Sequence, residues 1–317
     1  MFEQFFNLVE NPFSMSPDPR FLMATPLHRE AIAGLVYGVT ERKGFMVLTG
    51  EAGTGKTTVM RAVADALPET VEFSYVLNPA MSASELLEHI LLDLGIDDVP
   101  ESKARRMFKL GDMFSARHRE GRVSALIVDE AHKLAPEVLE EVRLLTNFET
   151  NTEKMLQIVL VGQPELGELL QLPDLRQLKQ RIALRFKVTP LPPDDVPHYI
   201  EHRWIRAGGN GQLPFPEETL EMVKQHSQGI PRLINAICEN SLLAAYAAGS
   251  HTVEPAHVEA VAQNLDLTEE SDAGEGVELS AMEAAAAVGG GEMPDLARGP
   301  ATKKASKHWF SKLSVAR

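Results

Sequence analysis

The chain has 317 residues, of which 44% are hydrophobic and 24% charged, an ordinary globular composition with enough length for two domains. Its formal charge of −14 speaks against a surface that coats nucleic acid throughout, although a local basic groove is compatible with it. One cysteine, Cys238, excludes an intramolecular disulfide, and no run of about 18 apolar residues offers a membrane-spanning helix.

The first residues, Met1-Phe2-Glu3-Gln4-Phe5-Phe6, lack the basic start and long apolar stretch of a secretory signal, so a cytoplasmic protein is expected. Residues 1–30 are rich in proline and aromatics, including Asn11-Pro12-Phe13 and Pro17-Asp18-Pro19-Arg20. Such a segment is expected to wrap across a folded body. A helix is predicted over Pro26–Thr40, where Leu27, Ala31, Gly34, Leu35 and Gly38 recur at helical spacing.

Residues 44–49 read as a buried strand and residues 58–64 as a helix. Between them lies Gly50-Glu51-Ala52-Gly53-Thr54-Gly55-Lys56-Thr57, followed by Thr58, in the pattern G-x-x-x-x-G-K-[ST]. Glycines let main-chain N–H groups converge on a phosphate, and the following helix turns its positive end toward the anion. Lys56 is placed to reach the β- and γ-phosphates of ATP, and the Thr57 hydroxyl to ligate Mg²⁺. Beside a bound nucleotide, Phe13 and the turn at Pro17 suit either an adenine contact or a staple over the core.

A second strand is predicted over residues 71–77. Helices follow, one carrying Leu86, Leu87, Ile90, Leu91 and Leu94, the next over residues 103–120. Ala125-Leu126-Ile127-Val128 then delivers Asp129 and Glu130 to a strand end, the edge of a parallel sheet where ligands bind. Asp129 suits Mg²⁺, and Glu130 suits polarising water, which favours hydrolysis over phosphate transfer to another hydroxyl. His132, three residues past Asp129, fits either a sensor of nucleotide state or a loop histidine without further role.

A further buried strand, residues 156–162, ends at Gln163, whose amide would lie beside Asp129 if the two strands are neighbours. Residues 175–185 read as the end of a cationic helix. Arg181 and Arg185 fit surface charge or a group reaching a neighbouring subunit's nucleotide, and spacing does not decide. After Pro190 four helices are expected, near residues 196–207, 216–227, 231–248 and 255–264, each with a proline at or near its start. Arg232 stands in the first turn of one, where an acid would suit the helix dipole better, so a phosphate contact is expected. Cys238 sits in an apolar helical pattern as a small core residue. From residue 266 an acidic, Ala/Gly-rich tail begins. It closes on Lys303-Lys304-Ala305-Ser306-Lys307-His308-Trp309-Phe310, which suits an anionic membrane surface, an acidic partner, or a merely solubilising end.

Assembled, these motifs resemble AAA+ ATPases of the ExeA type, the general secretion pathway protein A and MSHA-biogenesis family. The resemblance extends over roughly residues 1–265. The proline-rich opening, Gly162-Gln163-Pro164-Glu165-Leu166 and Gly229-Ile230-Pro231-Arg232 are its more particular marks. It implies an α/β fold: a three-layer αβα P-loop core with a parallel sheet over residues 1–190, a small all-α lid over 191–265, and a tail over 266–317. It also implies Gln163 as a first sensor, Arg232 as a second sensor on the lid, and Arg181 as a finger acting in trans, with Arg185 as second choice. Subunits would form a ring or partial ring.

The function so implied is ATP hydrolysis that drives or regulates assembly of a bacterial envelope machine for secretion, pilus formation or polysaccharide export. The protein would work in the cytoplasm or peripherally at the inner membrane, through a membrane-associated partner. Several members of the family continue past the lid into a membrane span and a peptidoglycan-binding domain not found in these residues, so an envelope role is expected to run through that partner. The alternatives are a regulatory ATPase of DNA transposition, which would bind DNA, and a slow-turnover nucleotide switch.

Overall fold

The computed structural model describes residues 1–77, 79–209 and 213–267. The basic-aromatic end expected to meet a membrane or partner lies outside the described residues.

The chain opens with a short helix, α1 (Phe2–Phe5), and a proline-rich run that ends in a 3-10 turn at Pro19–Phe21. Helix α2 (Pro26–Thr40) starts where the sequence indicates, because Thr25 and His28 form a reciprocal cap and Pro26 fills the first position. Strand β1 (Phe45–Gly50), helix α3 (Lys56–Ala66) and strand β2 (Val71–Val76) follow. Helix α4 (Ala83–Asp93) is capped by Ser82 and Glu85, and α5 is Lys103–Arg119. Strand β3 (Val123–Val128), helix α6 (Pro136–Leu145), strand β4 (Leu156–Gly162) and helix α7 (Pro164–Leu169) complete the middle of the chain.

The sheet is parallel in the order β2-β3-β4-β1, with a fifth strand outside β1. Every residue of β3 and β4 is buried, as strands covered on both faces require. One apolar cluster, with Leu86, Phe114, Leu126 and Leu160, fills one face of the sheet. Another, with Leu35, Met60, Val63 and Ile127, fills the other.

The cationic helix end expected over 175–185 stops short and gives way to strand. Only α8 (Arg176–Lys179) is helical, and Ile182 through Arg185 belong to the edge strand β5 (Ile182–Val188), paired in parallel with β1. Ala183, Arg185 and Lys187 are exposed and alternate with half-buried Leu184 and Phe186. That two-residue period is masked in the sequence by charges, which also blunt an open sheet edge.

Four helices close the described chain: α9 (Asp195–Arg206), α10 (Glu217–Ser227), α11 (Pro231–Ala247) and α12 (Pro255–Asn264). They share a core with Phe2, Phe6, Leu8, Phe13 and Phe21 of the opening segment. The opening segment, grouped with the sheet in the sequence reading, thus packs on the helical bundle. Cys238 is fully buried in this core, and burial pushes its thiol pKa well above the ordinary range. No helix among the described residues is long and apolar enough to cross a membrane.

Candidate functional site

Because β4 lies between β1 and β3, the three strand ends that carry the loop at 50–57, the acid pair and Gln163 stand side by side. Above them a cavity of about 650 Å³ is lined by loop residues 52–58, Glu130, Lys133 and Gln163, and by Arg232 and Asn235 of the bundle. Ser14, Pro17, Phe21 and Met23 of the opening segment complete its wall.

The loop is shaped to receive an anion. Gly53 and Gly55 adopt φ of +78° and +95°, and Gly55 leaves the first turn of α3 without a side-chain cap. Lys56 is buried, and its ammonium donates to the carbonyls of Gly50 and Glu51, each at 2.8 Å. Burial lowers its pKa, while Glu130, Asp129, Glu51 and Glu165 oppose that shift. Thr54, also buried, donates its hydroxyl to the Glu51 carbonyl at 2.8 Å. An uncapped helix end, a cavity and a converging lysine are a donor set that fits a polyphosphate.

The bundle touches this loop directly. The Arg232 N–H donates to the Gly53 carbonyl at 3.2 Å, and a Cβ on Gly53 would stand 2.7 Å from the Arg232 Cβ. Arg232 is itself exposed toward the cavity. A shift at the start of α11 is therefore felt at the loop's main chain.

Asp129 is 4% exposed, and its carboxylate accepts three hydrogen bonds. The Glu130 N–H donates to Oδ1 at 2.9 Å, while Thr57 Oγ1 and the Tyr75 hydroxyl donate to Oδ2 at 3.2 and 3.0 Å. Burial raises its pKa, opposed chiefly by the Glu130 N–H and Tyr75 bonds. The Thr57–Asp129 pair offers two hard oxygens side by side. Among the described residues no cluster of three or more His, Cys, Asp or Glu could hold a metal alone, so the donor set fits an ion completed by phosphate and water, as Mg²⁺ prefers.

Glu130 takes a left-handed backbone, φ +52°, and its carboxylate lies 3.3 Å from Lys133 Nζ and 3.6 Å from His132 Nε2. Gln163 caps no helix N–H with its side chain and lines the cavity. Arg181 is not in the cavity lining. It precedes β5, at the sheet edge opposite the loop, and its guanidinium donates to Thr146 and Asn147. Arg185 is exposed within β5, level with Val47. Of the two uses considered for Phe13, the core staple is the one it serves, since it is fully buried. Pro17 lies in the cavity wall.

Sequence reasoning missed Tyr75, His28 and Arg203. Tyr75 has no motif and is found only by its register beside β3, and buried His28 lies against the loop from α2. Arg203 bonds main-chain carbonyls, which leave no sequence trace.

A parallel sheet between helical layers, a glycine-rich loop before α3, acids ending β3 and an all-α unit over them define a P-loop protein of the AAA+ class. Residues 39–170 match the AAA domain family. The chain is 44% identical over 254 residues to General secretion pathway protein A of Aeromonas hydrophila, covering 80% of this chain and 46% of that protein. It is 26% identical over 227 residues to ATP-dependent target DNA activator B of Escherichia phage Mu, covering 70% of this chain and 66% of the other. Among solved structures, Cdc6p from Pyrobaculum aerophilum shares the fold with a TM-score of 0.63 at 20% identity, over 81% of this chain and 71% of that one. Over its matched residues the chain is similar to the AAA+ proteins of the general secretion pathway protein A type, and it spans less than half the length of its Aeromonas relative.

Proposed function

We propose that this chain hydrolyses ATP and that the cycle drives or regulates assembly of a bacterial envelope machine, such as a secretion system, pilus or polysaccharide exporter. The observation that carries the ATPase reading is one cavity into which residues 52–58, Glu130, Gln163 and Arg232 all open. The envelope reading is supported by kinship to a protein named for the general secretion pathway.

In this reading Gly50, Glu51, Ala52, Gly53, Thr54, Gly55, Lys56, Thr57 and Thr58 bind the phosphates, and Thr57 and Asp129 hold Mg²⁺. The metal would neutralise charge developing on the β- and γ-phosphate oxygens. Glu130 draws the proton from attacking water, and Gln163 contacts the terminal phosphate. Arg232 carries the change to residues 191–265, which, with the opening segment packed on them, act as a lid on the sheet core that runs to residue 190. Arg181, or failing it Arg185, serves the nucleotide of a neighbouring subunit in a ring or partial ring. The protein works in the cytoplasm at the inner membrane, and residues 266–317 meet an anionic surface or a membrane-associated partner.

Purified chain should release phosphate from Mg²⁺-ATP, and Lys56→Ala should lower that rate by at least about 100-fold. Equal rates in the two proteins would overturn the ATPase reading, and negligible release by a parent that still binds ATP would favour a nucleotide switch. Tyr75→Phe should raise the Mg²⁺ concentration at half-maximal rate roughly tenfold, because Asp129 loses a bond that orients it. An unchanged Mg²⁺ titration would remove Tyr75 from the metal's support.

The likeness to a phage target DNA activator favours one second reading, a regulatory ATPase of DNA transposition. ATP-dependent duplex binding that weakens steeply with salt would favour it. Recovery of an inner-membrane complex on ATP-loaded protein, without DNA binding, would favour the envelope reading.

A further inference from the structure

The residue after Ala131 carries more than a turn. The 3-10 turn Ala131–Lys133 follows β3, and it packs against the junction of β4 and α7. The fit is close: a methyl at Gly162 would stand 3.2 Å from the His132 main-chain nitrogen. Across this junction the Gln163 N–H donates to His132 Nδ1 at 3.3 Å. A ring nitrogen that accepts must be unprotonated, so in the neutral ring the proton sits on Nε2. Nε2 in turn faces the Glu130 carboxylate at 3.6 Å. One half-buried imidazole therefore has its two edges on two groups that both line the nucleotide cavity.

The geometry points to His132 as a positioning residue that ties the Glu130 carboxylate to the main chain at Gln163, so that the ends of β3 and β4 set the height of Glu130 together. The inference rests on the reading that Glu130 activates water. Lys133 also reaches Glu130, but its side chain is 59% exposed and solvated, and among the described residues its ammonium makes no hydrogen bond to β4. His132 is the group through which a displacement at Gln163 reaches the carboxylate. Such coupling matters because a misplacement near 1 Å can cost on the order of 100-fold in rate.

Two isosteric halves of the ring separate the bridge from a structural role. In His132→Asn the amide oxygen stands where Nδ1 stands, so the bond from Gln163 is kept and the contact with Glu130 is lost. In His132→Gln the amide reaches toward Glu130 and the Nδ1 acceptor is lost. The expected result is that Ala, Asn and Gln variants all lose between about tenfold and 100-fold in kcat, with the ATP KM within roughly threefold. Full rate in His132→Asn would mean that the ring only anchors the turn, and would overturn the proposal. Imidazole nitrogen spectra give a readout that needs no turnover. The His132 signal, assigned by its loss in His132→Asn, should show protonated Nε2 and accepting Nδ1, with Nε2 shifting in Glu130→Gln. If the parent shows no Lys56-dependent hydrolysis, the ATPase reading falls and the spectra alone decide. An Nδ1-protonated ring, or an Nε2 signal indifferent to Glu130→Gln, would overturn the bridge.

Discussion

Glu130→Gln is expected to bind ATP with parent-like affinity and to lose at least about 100-fold of its phosphate-release rate. The two halves of that result come from different parts of the site. Affinity resides in the loop at residues 52–58 and in Lys56, whose bonds to Gly50 and Glu51 do not involve Glu130. Turnover needs a group that accepts a proton from water, and an amide cannot. The substitution keeps side-chain size and an acceptor oxygen, and the bond to the Asp129 carboxylate comes from the main-chain N–H of residue 130, not from its side chain. The variant should therefore fold and retain the geometry of Asp129. Because nucleotide that is not hydrolysed keeps the site loaded, the variant should also accumulate as an ATP-bound oligomer. Fluorescent-nucleotide titration, phosphate release and light scattering on one preparation check the three parts. Parent-like hydrolysis would mean that another group activates water.

Much of this site is legible in sequence because it depends on short spacings. The loop at 50–57 and the Asp129–Glu130 pair stand at the ends of β1 and β3, strands buried along nearly all of their length, whose apolar runs announce them. Gln163 is placed beside the acids once β3 and β4 prove to be neighbours. Two other features were hidden for physical reasons. β5 carries Arg185 and Lys187 on its exposed side, so its alternation looks like helix-end charge. The partnership of Tyr75 with Asp129 depends on the pairing of β2 with β3, which the chain's local pattern does not fix. The opening segment is similar: prolines announce that it is extended, but not that Phe6 and Phe13 will pack against α9 through α12.

That packing turns on Arg203, and Arg203→Met is expected to cost about 3 kcal/mol of stability. The side chain leaves α9 into the bundle core and is 7% exposed. Its guanidinium donates to the carbonyls of Pro12 and Ser14 and to the Tyr199 hydroxyl, which in turn donates to Asn235 of α11. It also stacks over the rings of Phe21 and Tyr199, at 4.9 and 5.6 Å. All three acceptors are neutral, so its hydrogen bonds are to dipoles, while the aromatic faces and the nearby Asp18 and Glu239 carboxylates also attract the charge. Methionine fills much of the volume but leaves the carbonyls of Pro12 and Ser14 without their donor. Lysine restores charge without the planar fork and should recover little of the loss. Because Ser14, Pro17, Phe21 and Asn235 line the nucleotide cavity, loosening this pin should also weaken ATP binding. Nucleotide would then raise the unfolding midpoint of Arg203→Met less than that of the parent at equal concentration. Chemical denaturation with and without ATP measures both effects. An unfolding free energy within about 0.5 kcal/mol of the parent, the range of ordinary surface substitutions, would mean that the opening segment is held by its aromatic contacts alone.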